Sequence, residues 1–297
     1  MEIVNFGSLN LDYVYSVEHF VRPGETIRPQ QFNRYLGGKG FNQSVAMAKA
    51  GARLFHAGKI GEDGKVLKEQ LEALGVGTEF VRLCNAVTGQ AIIQVDQSGQ
   101  NCIILSSGAN AEISGEFIDE VLSRFQQGDL LLLQNEISGI ACLIESAHKK
   151  GMKIAFNPSP VTEDVFHLPL KDIGFYILNE IEGFELTGER EPDKIADALL
   201  QRSPGCAVVL TLGRKGVFYR DPVITLTHGI YKVDRVDTTG AGDTFTGYFI
   251  AGLQDGIPPE ENLCRASVAS ALSVSRKGAS SSIPSLKEVL ESKLEEA

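Results

Sequence analysis

The chain is predicted to be an α/β protein, a doubly wound and mostly parallel sheet with helices on both faces, and two observations predict it. Short apolar runs at 3–6, 130–133, 153–156, 175–178 and 208–212 alternate with helical segments, the rhythm of a parallel sheet covered on both sides. Most of these runs give way to polar residues: Asn10 and Asp12, Asn135 and Glu136, Asn157, Asn179 and Glu180, Thr211 and Gly213. Ligands of open α/β sheets sit outside the carboxyl ends of the strands, so these groups should line one crevice.

Taken in order, the first run leads into Asn10 and Asp12, and 13–17 then alternates in the manner of a strand. Leu36-Gly37-Gly38-Lys39-Gly40-Phe41-Asn42-Gln43-Ser44 opens a small-residue helix through Val45, Ala46, Ala48 and Ala50, which stops at Gly51. Residues 91–95 pair with 102–105 across the turn residues 96–100. These few strands cannot bury enough apolar area to fold alone. They read as an appendage, approximately 11–35 and 88–106, on a single domain spanning 1–297. Asn179-Glu180-Ile181-Glu182 has the form of a helix N-cap followed by first-turn acids. Near the C-terminus, Asp237-Thr238-Thr239-Gly240-Ala241-Gly242-Asp243-Thr244-Phe245 precedes a helix whose buried face is Phe245, Phe249 and Leu253. No internal repeat, low-complexity tract or interdomain linker interrupts the chain.

Composition narrows the function. At 297 residues and 43% hydrophobic the chain can bury a large core. With 28 Lys and Arg against 38 Asp and Glu, its net charge of −10 disfavours nucleic acid or an anionic membrane as a partner. No apolar stretch approaches the roughly 18 residues of a membrane span, and no basic N-terminal segment precedes an apolar run, so a cytoplasmic location is expected. The five cysteines, Cys84, Cys102, Cys142, Cys206 and Cys264, are odd in number and far apart, which suggests reduced, buried thiols. The histidines, His19, His56, His148, His167 and His228, have no metal-ligand spacing and are expected at the surface or in loops.

Chemistry concentrates at the two glycine-rich turns. A helix N-terminus offers unpaired N–H groups and a positive dipole end, which suit a phosphate, so both turns are expected to receive ligands. Asp243 stands directly behind Gly240, Ala241 and Gly242, where it can act as a general base beside that anion. Competing phosphate motifs fail: no G-x-x-x-x-G-K-[ST] occurs, and three near misses to the dinucleotide fingerprint have Gln43, Phe80 and Phe245 in place of the third glycine.

The Gly-Gly-Lys-Gly run with Asn42 two residues on, and Asp-Thr-x-Gly-Ala-Gly-Asp-Thr-Phe near the C-terminus, resemble the two signatures of the ribokinase, or PfkB, family of carbohydrate kinases. The likeness extends from Gly7 to Ala279. It implies a ribokinase-like fold in which the strand appendage is a β lid over the sugar, with an outer face that pairs two subunits. It implies ATP-dependent phosphorylation of a sugar hydroxymethyl group, D-ribose to ribose 5-phosphate first, with deoxyribose, a ketose or a nucleoside as alternative acceptors. A protein that binds sugar without turnover is the alternative from another class.

Residue by residue, the resemblance makes Asn10, Asp12, Gly38, Lys39, Asn42 and Glu136 sugar ligands and Asp243 the catalytic base. Carboxylates that only accept, beside amide and ammonium donors, suit hydroxyls that do both. Asn179, Thr211, Gly213, Gly216 and Gly242 match the ATP positions, with Ser267 where an Asn or His often flanks the base. Glu182 matches the residue that organises Mg2+. Asp237, Thr239, Ser273, Arg276, Gly278 and Ser282 match positions whose mostly backbone carbonyls hold a monovalent cation, K+. Asp237 equally suits a plain Asp-Thr turn, and Asn179 with Glu182 a plain helix cap.

Overall fold

The structure, a computed structural model, describes residues 1–297. The N-terminal half runs β1 (Ile3–Phe6), β2 (Asn10–Ser16), β3 (Gln31–Gly37), α1 (Lys39–Lys49), β4 (Leu54–Ile60), α2 (Lys65–Ala73), β5 (Gly77–Leu83), β6 (Gly89–Val95), β7 (Asn101–Ser106) and α3 (Gly115–Ser123). It continues through β8 (Leu130–Gln134), α4 (Ile140–Lys149), β9 (Lys153–Asn157), β10 (Phe175–Asn179), α5 (Glu180–Thr187), α6 (Pro192–Arg202) and β11 (Ala207–Thr211). The chain ends with β12 (Val217–Arg220), β13 (Thr225–His228), α7 (Ala241–Gln254), α8 (Pro259–Val274) and α9 (Leu286–Leu290).

Nine strands form one sheet in the order β13-β12-β11-β10-β9-β8-β1-β4-β5. It is parallel from β11 to β5, and β12 and β13 join antiparallel at one edge. Successive residues of the central strands face opposite sides, and both sides are covered. Ile3, Leu130 and Leu132 pack with Phe41, Val45, Phe245 and Leu263 from α1, α7 and α8 in one cluster of 34 buried residues. Val4, Leu131 and Leu133 pack with Phe117, Leu143 and Ile195 from α3, α4 and α6 in another of 33. That double burial is why the central strands read as continuous apolar runs. The expected doubly wound, mostly parallel sheet is the one found.

From β1 the chain builds outward through β4 and β5, then returns to β8 and builds the other way, so the strand order reverses between β1 and β8. The two strands stay paired to Phe6 and Leu133, but the helices that follow them, α1 and α4, pack on opposite faces, and a crevice is expected outside the carboxyl ends at such a reversal.

A separate four-stranded sheet has the order β3-β2-β6-β7. The hairpin pairs Ala91 with Leu105 and Gln94 with Cys102, as the alternation predicts. Asp12 sits opposite Tyr35 and Ala91, so this sheet begins at the crevice and projects from it. No helix is long and apolar enough to cross a membrane.

Two expectations need correction. His56 is fully buried on β4, where Ser44 and the Gly7 carbonyl satisfy its ring nitrogens, so it is neither a surface nor a loop residue. All five cysteines are free, but only Cys206 is buried, and Cys102 and Cys142 are exposed. Cys102 lies on β7, an edge strand of the small sheet that pairs only with β6 and has no second neighbour to cover it.

Candidate active site

The site forms where β1, β8, α1, α7 and the small sheet meet. Gly240, at φ 74°, caps α7 and turns the chain so that Ala241 begins the helix. Thr244 donates back to the Gly240 carbonyl from its backbone N–H and from its side chain, at 2.8 Å each. The Ala241 N–H reaches the Thr238 carbonyl at 3.3 Å, whereas those of Gly240, Gly242 and Asp243 donate to nothing in the protein. Three open N–H groups at a helix N-terminus make an anion cradle. Asp243 itself is buried, 9% exposed. Its Oδ2 accepts from Asn42 Nδ2 at 3.1 Å and its Oδ1 from Gln43 Nε2 at 2.9 Å, so α1 aims the carboxylate that α7 carries.

The turn before α1 differs from expectation. Three of its N–H groups are already answered, and only that of Gly38 donates to nothing in the protein: Lys39 N–H donates to Glu136 at 3.0 Å, Gly40 N–H to Ser8 Oγ at 3.1 Å and Phe41 N–H to the Ser8 carbonyl at 2.9 Å. Ser8 in turn donates its hydroxyl to Glu136. This turn therefore offers side chains rather than an anion site.

Those side chains gather charge. Burial pulls the Lys39 ammonium down, but the Asp243, Glu136 and Glu182 carboxylates outweigh it and hold its pKa above the usual lysine range. Burial pushes Glu136 up, and Lys39 and Ser8 offset only part of that. Asp12 is pushed up to about 7, by burial first and then by Glu136 and Asp243. Asp12 Oδ1 and Asn42 Oδ1 are buried without a protein partner, which marks them as acceptors awaiting donors. Asn10 is buried on β2, and its Oδ1 accepts from Asn110 Nδ2 at 2.8 Å. Gly37, Gly38 and Gly89 allow this crowding: a Cβ on Gly37 would strike the Asp12 carboxylate, and one on Gly89 would strike Asn110 and Asn10.

On the other side, Asn179 ends β10 and Thr211 ends β11 as direct register partners. Asn179 caps α5 in a full capping box: its Oδ1 accepts from Ile181 and Glu182 N–H, and Glu182 accepts from Asn179 N–H at 2.9 Å. Gly213 (φ 56°) and Gly216 (φ 91°) form the turn into β12, and a Cβ on Gly216 would lie 2.0 Å from the His228 carbonyl. Ser267 is half-buried on α8, one turn before Ser270, which donates to the Ala241 carbonyl.

The loops flanking α7 are joined by Asp237. Its Oδ1 accepts from the N–H and hydroxyl of Thr239, at 2.9 and 2.7 Å, and its Oδ2 from the Gly278 N–H at 3.0 Å. Burial pushes this carboxyl up, but those donors hold it below the usual range. The carbonyls of Asp237, Thr239, Arg276, Gly278 and Ser282 accept no hydrogen bond from the protein, whereas that of Ser273 accepts from Arg276 N–H at 3.0 Å. The side chains here are otherwise engaged: Arg276 pairs with Glu288 at 2.6 Å, and Ser273 and Ser282 bond their own helix and loop.

Four contributors escaped the sequence reading as site residues: Ser8, Asn110, Gln43 and Gln134. Gln134 sits at the carboxyl end of an apolar strand, beside Asn135 and Glu136, so its position was itself a signal.

Comparison with known proteins gives the family. The family described as pfkB family carbohydrate kinase matches residues 1–286. The ribokinase of Haemophilus influenzae is 37% identical over 298 residues, covering 96% of each chain. Among solved structures, ribokinase from Thermotoga maritima is 36% identical with a TM-score of 0.84, covering 97% of each chain. The Arabidopsis thaliana ribokinase complexed with ribose and ATP is 31% identical, also with a TM-score of 0.84 and 97% coverage of each. With a family match over nearly its whole length and a relative this similar end to end, the chain belongs to the pfkB family of carbohydrate kinases.

Proposed function

We propose that this protein transfers the terminal phosphoryl group of ATP to the hydroxymethyl group of D-ribose, giving ribose 5-phosphate. The observation that carries the reading is the position of Asp243: it is held by the sugar-side amides of α1 and adjoins the open N–H groups of α7. The similarity to the ribose- and ATP-bound Arabidopsis structure supports both substrates.

Phosphoryl transfer passes through a loose transition state, so positioning and charge stabilisation carry most of the catalysis. Asn10, Asp12, Asn42 and Glu136 grip the hydroxyls of the ring, with Gly38 leaving room beside them. Asp243 orients the hydroxyl to be phosphorylated and takes its proton as the new P–O bond forms. The Gly240, Gly242 and Asp243 N–H groups and the Lys39 ammonium face the charge that develops on the phosphoryl oxygens. Asn179, Thr211, Gly213, Gly216 and Ser267 form the nucleotide side.

Glu182 fits a Mg2+ role: one oxygen is held by the Asn179 N–H, the other has no protein donor, and its charge reaches Lys39 across the site. Mg2+ would neutralise charge on the ATP phosphates there. The free carbonyls around Asp237 and Gly278 fit K+, which would supply a fixed positive charge beside the α7 turn. A cytoplasmic location is part of the same proposal and is in keeping with ATP as the phosphoryl donor.

The small sheet is proposed as a lid that also makes a homodimer contact. β7 is an open edge on which Ile103, Ile104 and Leu105 are 49–59% exposed, and Tyr35 on the opposite edge strand β3 is 46% exposed, apolar surface available to a second copy of the chain.

The test is ADP release with a panel of ribose, 2-deoxyribose, ketoses, hexoses and nucleosides, beside titration calorimetry with sugar alone. Ribose should give the highest kcat/KM. Sugar binding without ADP release would mean a binding protein, and equal ADP release with and without sugar would mean a hydrolase.

A further inference from the structure

Behind Asp243 lies a continuous chain of hydrogen bonds among side chains that are all 0% exposed: Gln43, Gln134, Asn5, Ser44 and His56. Gln43 Oε1 accepts from Gln134 Nε2 at 2.7 Å, and that same nitrogen donates to Asn5 Oδ1 at 2.9 Å. Asn5 Nδ2 donates to Ser44 Oγ at 2.8 Å and to the Gly40 carbonyl at 2.7 Å. Ser44 Oγ lies 2.8 Å from His56 Nδ1, and His56 Nε2 lies 3.2 Å from the Gly7 carbonyl.

The direction of every bond in the chain follows from its far end. The Gly7 carbonyl only accepts, so His56 Nε2 carries a proton. Burial pushes the imidazolium down to about 4, so the ring is neutral and Nδ1 accepts. Ser44 must then give its hydroxyl proton to Nδ1 and accept from Asn5, which turns the Asn5 carbonyl oxygen toward Gln134. Gln134 spends both amide protons, on Asn5 and on Gln43, and its own oxygen is left buried without a partner. Gln43 can only accept from Gln134 with its oxygen, so its nitrogen faces Asp243. An uncompensated carbonyl in the interior is unfavourable, and here it is the cost of the donor direction that the His56 end of the chain imposes.

We propose that Gln43 and Gln134 are positioning residues for the catalytic carboxylate: they lock Asp243 Oδ1 and leave Oδ2 as the oxygen that receives the proton of the sugar hydroxyl. Oδ2 is the one shared with Asn42, whose own oxygen is unpartnered, so it faces the side where a sugar would sit. The inference rests on Asp243 being the base of the proposed kinase.

Gln43→Met and Gln134→Met conserve volume and remove the donors. Each should lower kcat about 10- to 100-fold, the scale on which small misplacements act, with KM for sugar and ATP within about twofold of wild type. Because Gln134 works through Gln43, the double variant should be no slower than Gln43→Met alone. Losses that multiply in the double variant, or that appear in KM or in Tm with kcat intact, would overturn the proposal. If a glutamine variant does not fold, Ser44→Ala removes one oxygen from an alanine-rich helix and should lower kcat about 3- to 10-fold with the same split. A readout independent of turnover is the substrate-free crystal structure of Gln43→Met, where the Asp243 carboxylate should be rotated from its wild-type plane. An unmoved carboxylate sinks the positioning role, whereas a wild-type protein without sugar-dependent ADP release sinks only the kinase reading.

Discussion

The turns that open α1 and α7 are both glycine-rich and both begin helices at the carboxyl end of the sheet, yet they use their backbones in opposite ways. At α1 the N–H groups of Lys39, Gly40 and Phe41 all donate to Ser8 or Glu136. The glycines there serve packing: a Cβ on Gly40 would lie 2.4 Å from the Ser8 nitrogen, and Gly38 needs φ 92°. At α7 three N–H groups are open, and a Cβ on Gly242 would meet no atom beyond its own turn of helix within 4 Å. Gly242 has neither a positive φ nor a crowding neighbour to require glycine, so its bare Cα leaves room for a ligand against the open N–H groups. On the proposed function, the first turn would deliver side chains to the sugar and the second backbone dipoles to a phosphate.

The largest break in that comparison is at the base the two turns share. Asp243→Asn should lower kcat by about 10² to 10⁴, the usual contribution of general base catalysis, with ATP affinity nearly unchanged. Near wild-type turnover in the variant would remove Asp243 from the mechanism. Next comes a pair of matched substitutions. Gly242→Ala should leave Tm unchanged or slightly raised, since alanine favours a helix, but lower kcat about 100-fold by crowding the phosphoryl oxygens. Gly40→Ala should instead destabilise the fold by about 1–3 kcal/mol through overpacking. Thermal unfolding and initial rates on the two variants decide it, and the opposite pattern would mean the turns have been assigned the wrong way round.

Asp12 sharpens the sugar side. Asp12→Ala should reduce kcat/KM for sugar by about 1.5–3 kcal/mol, the loss expected for hydrogen bonds to a charged group. Equal losses for ribose and 2-deoxyribose would show that Asp12 does not read the 2-hydroxyl. Its carboxyl titrates near 7 in the free protein and gains a proton below that, losing an acceptor, so kcat/KM for sugar should fall as pH drops through about 7. The slope should be at most tenfold per pH unit, and Asp12→Asn should flatten it. The sign for stability is opposite. The folded value lies above the unfolded 3.8, so the folded state binds more protons and the substrate-free fold loses stability as pH rises from about 4 to about 7.

What the sequence made legible follows from locality. β1, β8, β9, β10 and β11 were readable because both of their faces are buried, and the two signature turns because each is a continuous run. β4, with His56, Gly58 and Lys59 inside it, and the half-exposed edge strand β5 break that pattern and went unread. The support behind Asp243 was hidden for a different reason. Gln43 and Asp243 are 200 positions apart and Gln134 and Gln43 are 91 apart, so no local pattern joins them. His56 was misplaced on the same account, since only Ser44 and Gly7, brought to it by the fold, make a buried imidazole acceptable. Nor could spacing reveal that the first glycine turn fills itself: Ser8 lies 32 positions from Gly40 and Glu136 lies 97 from Lys39.

The smallest expected effect tests how the α7 turn keeps its open N–H groups aimed. Asp237 ties the 237–239 loop to Gly278, and a Cβ on Gly240 would touch Ala279 at 3.1 Å, so the turn rests on the loop that Asp237 secures. The unpaired carbonyls of Asp237, Thr239, Arg276, Gly278 and Ser282 lie on these same two loops. Carbonyl dipoles brought together repel one another until a cation enters, and K+ there would stiffen the loops without touching either substrate. Replacing K+ by a large organic cation at constant ionic strength should therefore lower kcat, or raise KM for sugar, by about fivefold or more, the lower end of coupling between two ligand sites. The response should vanish in Asp237→Ala, because the loops would no longer be held for the ion to stiffen. Kinetic constants that ignore K+ in the wild type would leave Asp237 as a structural clamp alone, with the α7 turn held by its protein contacts.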